Sequence, residues 1–168
     1  MNNKRKKLCL DYLNARSAFR KAADDDAVLQ GNDNIMGRIG EAIAHSYLEQ
    51  IGRNPKVEEN QTNKGFDITC EDKATVSVKL ISSENKSGGT TKIDADYDEL
   101  ILIKLNDQHK VDRLGHIKKV DFMNGYRASS IYKAKEPYFR ESMLDDFGLI
   151  SKYGTLFTGS EIERYKLL

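Results

Sequence analysis

The sequence predicts a mixed α/β fold in which a central mixed β-sheet is flanked by helices. Three observations predict it. Ile35, Ile39, Ile43, Tyr47 and Ile51 recur at four-residue steps, which is the spacing of one helix face. Gly65 to Ser82 holds two runs of alternating apolar and polar residues around a polar turn, the pattern of paired strands. Leu100-Ile101-Leu102-Ile103-Lys104-Leu105 is almost continuously apolar, as a strand buried on both faces of a sheet must be.

Bulk properties narrow the function classes. A chain of 168 residues is long enough for one domain with a real core. It divides into an N-terminal helical segment (1–31), a core (32–120) and a helical or irregular C-terminal segment (121–168). Lys and Arg number 27 against 26 Asp and Glu. That balance argues against a nonspecific nucleic-acid binder and leaves room for an enzyme that brings a metal ion to a phosphate. No run approaches a transmembrane helix. Lys4 to Lys7 is basic, but Asp11 interrupts the apolar stretch beyond it, which reads against a secretory signal. Cys9 and Cys70 lack metal-ligand spacing, and His45, His109 and His116 are scattered, so no zinc motif is present. The expectation is a reduced, cytoplasmic protein with Cys70 as a buried small apolar residue.

Leu8, Tyr12, Ala15 and Phe19 predict an amphipathic helix from about Lys4 to Ala23, its lysines either solvating the helix start or touching phosphate. Asp24-Asp25-Asp26 and Gly31 end it. Asn32-Asp33-Asn34 supplies N-cap chemistry for the second helix, and Gly52 stops it. Gly37 and Gly40 each cost about 1 kcal/mol in a helix, so a close backbone or ligand approach is expected there. Glu41 lies off the apolar stripe, where an exposed glutamate is the plain reading; His45, one turn on, reads as a surface or packing residue. Arg53 to Lys64 is a linker in which Val57 starts a short edge strand.

In the hairpin, Phe66, Ile68 and Cys70 are assigned one face, and Asp67 and Thr69 the other. Ala74, Val76, Val78 and Leu80 oppose Thr75, Ser77, Lys79 and Ile81. Pairing the apolar faces on one core then points Asp67, Ser77 and Lys79 into one cleft. Ser82 to Asp96 has loop composition, either a closing flap or a surface loop. Val111 to Val120 reads as a strand weakened by Gly115, and Asp121 to Tyr132 as a short helix. From Tyr126 to Arg140, aromatics interleave with Arg127, Lys133, Lys135 and Arg140; a base-stacking surface and a packing surface both fit. Ser160, followed by Glu161 and Glu163, is placed as the N-cap of a last helix.

Glu41, Asp67 and Lys79 are individually ordinary, but their order is informative. Gly37-Arg38-Ile39-Gly40-Glu41 lies on a helix, Gly65-Phe66-Asp67 starts a strand, Val76-Ser77-Val78-Lys79 lies on the next, and a buried strand comes after it. Over roughly 32–120 this resembles the PD-(D/E)XK nuclease superfamily, which includes many restriction endonucleases, Holliday-junction resolvases and Mrr-like enzymes. The resemblance implies a restriction-endonuclease-like sheet. It maps the helix glutamate to Glu41, the strand aspartate to Asp67 and the catalytic lysine to Lys79. The position two before the lysine, usually acidic or Gln, is Ser77 here, a poorer ligand for a hard cation.

By that resemblance Glu41, Asp67, Ser77 and Lys79 form the catalytic set. Glu41, Asp67 and the Val78 carbonyl are ligands of a single Mg²⁺, with Mn²⁺ able to substitute. Glu84 is a further candidate, whereas Glu71 and Asp72 lie in the turn. The implied activity is metal-dependent hydrolysis of DNA, with RNA as an alternative substrate, by a restriction-like or defence nuclease. Cutting both strands would take a homodimer. The alternatives are a structure-specific resolvase, a catalytically inactive nuclease-fold module that binds nucleic acid, and an α/β interaction protein in which these residues are surface decoration.

Overall fold

A computed structural model describes residues 3–30, 34–57, 65–82, 91–94, 96–132 and 136–167, with the side chains of residues 3–6, 8–10 and 13 outside the description. Six strands form a mixed sheet in the order β1 (Lys56–Val57), β2 (Ile68–Thr69), β3 (Thr75–Ser82), β5 (Glu99–Leu105), β6 (Val111–Lys118) and β8 (Thr155–Thr158). β3 and β5 run parallel; every other neighbouring pair is antiparallel. A separate two-stranded ribbon pairs β4 (Thr91–Lys92), from the crossover between the parallel strands, with β7 (Tyr138–Phe139) of the later chain.

The periodicity of two in β5 feeds two cores. Ile101, Ile103 and Leu105 join one cluster with Ile43, Ala44, Tyr47 and Leu48 of α2 (Ile35–Gln50) and Ile162 of α5 (Ser160–Tyr165). Leu100 and Leu102 join the other, with Phe122 and Tyr126 of α3 (Lys119–Ala128), Met143 and Leu144 of a 3₁₀ turn (Glu141–Leu144), and Leu149 and Ile150 of α4 (Leu149–Tyr153). Two apolar faces on one strand thus require a layer on each side.

The predicted split of β3 holds: Val76 and Val78 enter the first cluster and Ile81 the second. Phe66 is corrected. It packs against the second cluster, opposite Ile68 and Cys70: the Asp67 N–H still donates to the Val76 carbonyl at 2.9 Å, but Gly65 and Phe66 precede that pairing and escape its alternation. Asn34 caps α2, its Oδ1 accepting from the Gly37 N–H at 3.1 Å. Gly52 comes just after the helix at φ +76°, the left-handed conformation that glycine adopts without strain. The buried face of α2 is wider than the isoleucine stripe. It includes Arg38, Gly40 and Glu41, so the expected exposed glutamate is instead 7% exposed. An ideal Cβ on Gly40 would stand 3.1 Å from Leu80 Cβ, which explains the glycine by close approach to β3.

The first helix, α1 (Asn3–Ala23), forms as expected, yet Tyr12 is 67% exposed and Ala15 is exposed, so the proposed stripe is not a buried seam at those positions. Asn32, Asp33, the linker from 58 to 64, Glu84, the centre of the 82–96 loop, Lys133 and Lys135 lie outside the described residues. β6 ends at Lys118, and Lys119–Val120 already form the first turn of α3. Gly115 is a docking point: a Cβ there would meet Leu144 at 2.7 Å and Ile150 at 2.9 Å. Gly159, at φ +48°, is the N-cap of α5, and Ser160 is its first residue. Tyr126, Tyr132 and Phe139 are buried, the two tyrosines stacked with ring centres 5.4 Å apart; these aromatics are core, not an exposed stacking platform. None of the described helices is long and apolar enough to cross a membrane.

Candidate functional site

The edge of β3 is where the predicted residues gather. Along β3, β2 pairs only with Thr75 and Val76. Among the described residues no strand continues that pairing alongside Val78. The Val78 N–H, which points to that edge, instead donates to Asp67 Oδ2 at 2.6 Å. Ser77 Oγ also donates to Asp67 Oδ2, at 3.4 Å. N–H and C=O of one strand residue point to the same side, so the Val78 carbonyl is turned to the edge that holds the Asp67 carboxylate. Asp67 is thus a side-chain substitute for the missing strand, and a charge-assisted bond of this kind contributes about 1.5–3 kcal/mol.

Its surroundings set its titration. Burial pushes the Asp67 carboxyl above the usual carboxylate range; the Val78 N–H, the Lys79 charge and the Ser77 hydroxyl pull it down, and the negative charge of Asp94 adds to the rise. Desolvation is the largest of these causes. Lys79 shares a face with Ser77. Its side chain is 13% exposed, and its Nζ lies 3.2 Å from Asp94 Oδ2.

Asp67, Ser77, Val78 and Lys79 therefore come together. Glu41 stands apart from them in one respect: α2 covers the face of β3 that carries Val78 and Leu80, whereas Ser77 and Lys79 lie on the other face. Among the described residues no three His, Cys, Asp or Glu side chains form a group that could hold a metal ion. Mg²⁺, however, keeps several waters and is commonly held by one or two carboxylates together with substrate phosphates. Asp67 and the Val78 carbonyl are hard oxygen donors at one edge, and this pair fits such a sparse site.

Two features carry no clear mark in the sequence. Asp94 falls in a stretch of loop composition with no periodicity; its neighbours Ile93 and Tyr97, both buried, are the signal that the backbone there is anchored. The second is a hydrogen-bonded chain on the α2 side. Tyr47 Oη lies 3.1 Å from His116 Nδ1, His116 Nε2 lies 2.9 Å from Glu99 Oε2, and Arg53 Nη1 donates to the same Glu99 oxygen at 3.1 Å. Arg53 also bridges to Asp72 at 2.8 Å. His116 and Arg53 hold the Glu99 carboxyl below its ordinary value, against the opposing effect of burial, and burial pushes the Tyr47 phenol well up. Both His116 nitrogens are engaged inside the protein, so this chain is a structural tie rather than a free acid or base. Members of the chain come from four separate stretches, which no local spacing could link.

No protein-family model matches the chain, and no curated protein matches it at a significant level.

Proposed function

We propose that the protein is a metal-dependent endonuclease of the PD-(D/E)XK type that hydrolyses phosphodiester bonds in DNA. The observation that carries the reading is the convergence of a desolvated Asp67, the Val78 backbone and Lys79 at a strand edge that no other strand pairs among the described residues. In this reading Asp67 and the Val78 carbonyl hold one Mg²⁺, or Mn²⁺ in its place, with Glu41 approaching from α2. Such an ion, when bound, polarises a phosphate oxygen and stabilises the charge that develops on the leaving oxygen.

The chain's own residues do the rest. Water oxygen attacks phosphorus as the bond to the leaving oxygen breaks, and the water's proton is lost while the leaving oxygen gains one. Lys79 Nζ donates to a non-bridging phosphate oxygen or to the attacking water, fixing its direction. Ser77 Oγ and the Val78 N–H hold the Asp67 carboxylate in one orientation. One such site cuts one strand, so double-strand cleavage needs a second copy of the chain.

Incubation with plasmid and genomic DNA in Mg²⁺ or Mn²⁺ tests the reading. Cleavage by the wild type, abolished in Lys79→Ala with the melting temperature retained, is the expected result; discrete fragments mean sequence-specific cutting, and a smear means a nonspecific enzyme. Including a four-way junction separates a resolvase from a restriction-like enzyme. A second reading, a catalytically silent nucleic-acid-binding module, is favoured by Ser77 in place of an acid and by the sparse carboxylate set among the described residues. Binding that persists in EDTA with no cleavage of any DNA or RNA would establish it instead.

A further inference from the structure

Lys79 supplies the amine of the proposed site, and a lysine on a flexible four-carbon stem has no preferred direction of its own. Here it has one. Its Nζ is 3.2 Å from Asp94 Oδ2, and Asp94 is 47% exposed. Asp94 sits on anchored backbone. The N–H of the buried Ile93 donates to the Pro137 carbonyl at 2.9 Å, Thr91–Lys92 pair with Tyr138–Phe139, and Tyr97 is buried on the far side. The acid is therefore held between two apolar anchors and delivered from a separate ribbon to the face of β3 that carries Lys79. The charges of Lys79 and Asp94 are both felt at Asp67, so the three groups share one neighbourhood, with the amine bonded to Asp94.

We propose that Asp94 is a positioning residue, which fixes the direction of the Lys79 ammonium near the β3 edge capped by Asp67 so that it meets the scissile phosphate in one orientation. The proposal rests on the nuclease reading. An ion pair with one partner 47% exposed contributes little to stability, whereas a misplacement of about 1 Å at a reacting group can cost on the order of a hundredfold in rate. The pair's value therefore lies in direction rather than in holding the fold together.

The test compares wild type, Asp94→Asn and Asp94→Glu. Plasmid cleavage in Mn²⁺ is followed with a kcat and KM split, and the Lys79 Nζ signal is followed by nitrogen NMR of the free protein. Expected for Asp94→Asn is a kcat lower by about tenfold or more, with KM within about twofold, an unchanged melting temperature and a freely rotating Lys79 ammonium; Asp94→Glu recovers most of the rate. A cleaving wild type with an Asp94→Asn variant of equal kcat overturns the proposal and leaves the nuclease reading standing. The same holds if the rate falls equally in Asp94→Asn and Asp94→Glu with a lowered melting temperature, which marks a structural role. A wild type that cleaves nothing, with Lys79 ordered by Asp94 in the NMR signal, overturns the nuclease reading, and the ion pair is then structural only.

Discussion

Asp67 is a carboxylate withdrawn from water and then supplied with donors, and the two effects oppose each other. Burial dominates, so its folded pKa stands above the unfolded one. A group raised in this way favours the folded state fully only below its unfolded pKa, and that contribution is lost as pH rises through the folded value. At neutral pH the ionised Asp67 is therefore a cost to stability. Asp67→Asn keeps an oxygen acceptor for the Val78 N–H and removes the desolvated charge. Its melting temperature is expected to rise by about 2–4 °C for each kcal/mol recovered, while cleavage and any Mn²⁺-induced rise in melting temperature disappear. A fall in melting temperature would instead show that the hydrogen bonds Asp67 accepts outweigh the cost of burying its charge. Asp67 and Lys79 are legible in the sequence because strand alternation fixes which side chains share a face. Asp94 is not, since its position depends on where Ile93 and Tyr97 are buried.

At the scale of elements, the Tyr47–His116–Glu99–Arg53 chain ties α2, β5, β6 and the turn after β2 into one unit. Glu99 is depressed below its ordinary value of 4.5, so its contribution is present above that pH and is lost as pH falls through the lower folded value. Glu99→Gln is expected to cost about 1–3 kcal/mol near pH 7, since two charge-assisted bonds weaken. In urea titrations from pH 7 down to pH 3, the gap between wild type and variant should narrow below pH 4.5. A gap independent of pH would show that the Glu99 charge contributes nothing to the tie. The helix and hairpin around this chain are predictable from period and caps. The isoleucine stripe predicts one apolar face for α2, but the helix buries Arg38 and Glu41 as well. Its wider buried face arises because Gly40 lets it settle on Leu80 and Val78, a contact between elements that local spacing cannot express.

For the whole molecule, the stretch 32–120 shares both of its cores with the C-terminal third. β8 covers the outer edge of β6, Ile162 and Leu167 fill the first core cluster, and Leu144, Leu149 and Ile150 fill the second. A fragment of residues 32–120 is expected to lack a cooperative urea transition, because both faces of its sheet lose cover; a sigmoidal transition matching that of the full chain would show the C-terminal third to be an accessory. Alternation, helical period and capping act within a few residues, so the α/β class, the doubly buried central strand Glu99–Leu105, the capped α2 and the hairpin that carries Asp67, Ser77 and Lys79 can be read from the chain alone. Four features come from packing instead: Phe66 crosses to the second core, β8 closes the sheet, α2 packs on the face of β3 that carries Val78 and Leu80, and Asp94 pairs with Lys79. Each of these is a contact between distant stretches, and its free energy arises when two elements pack, so it leaves no periodic trace in either one.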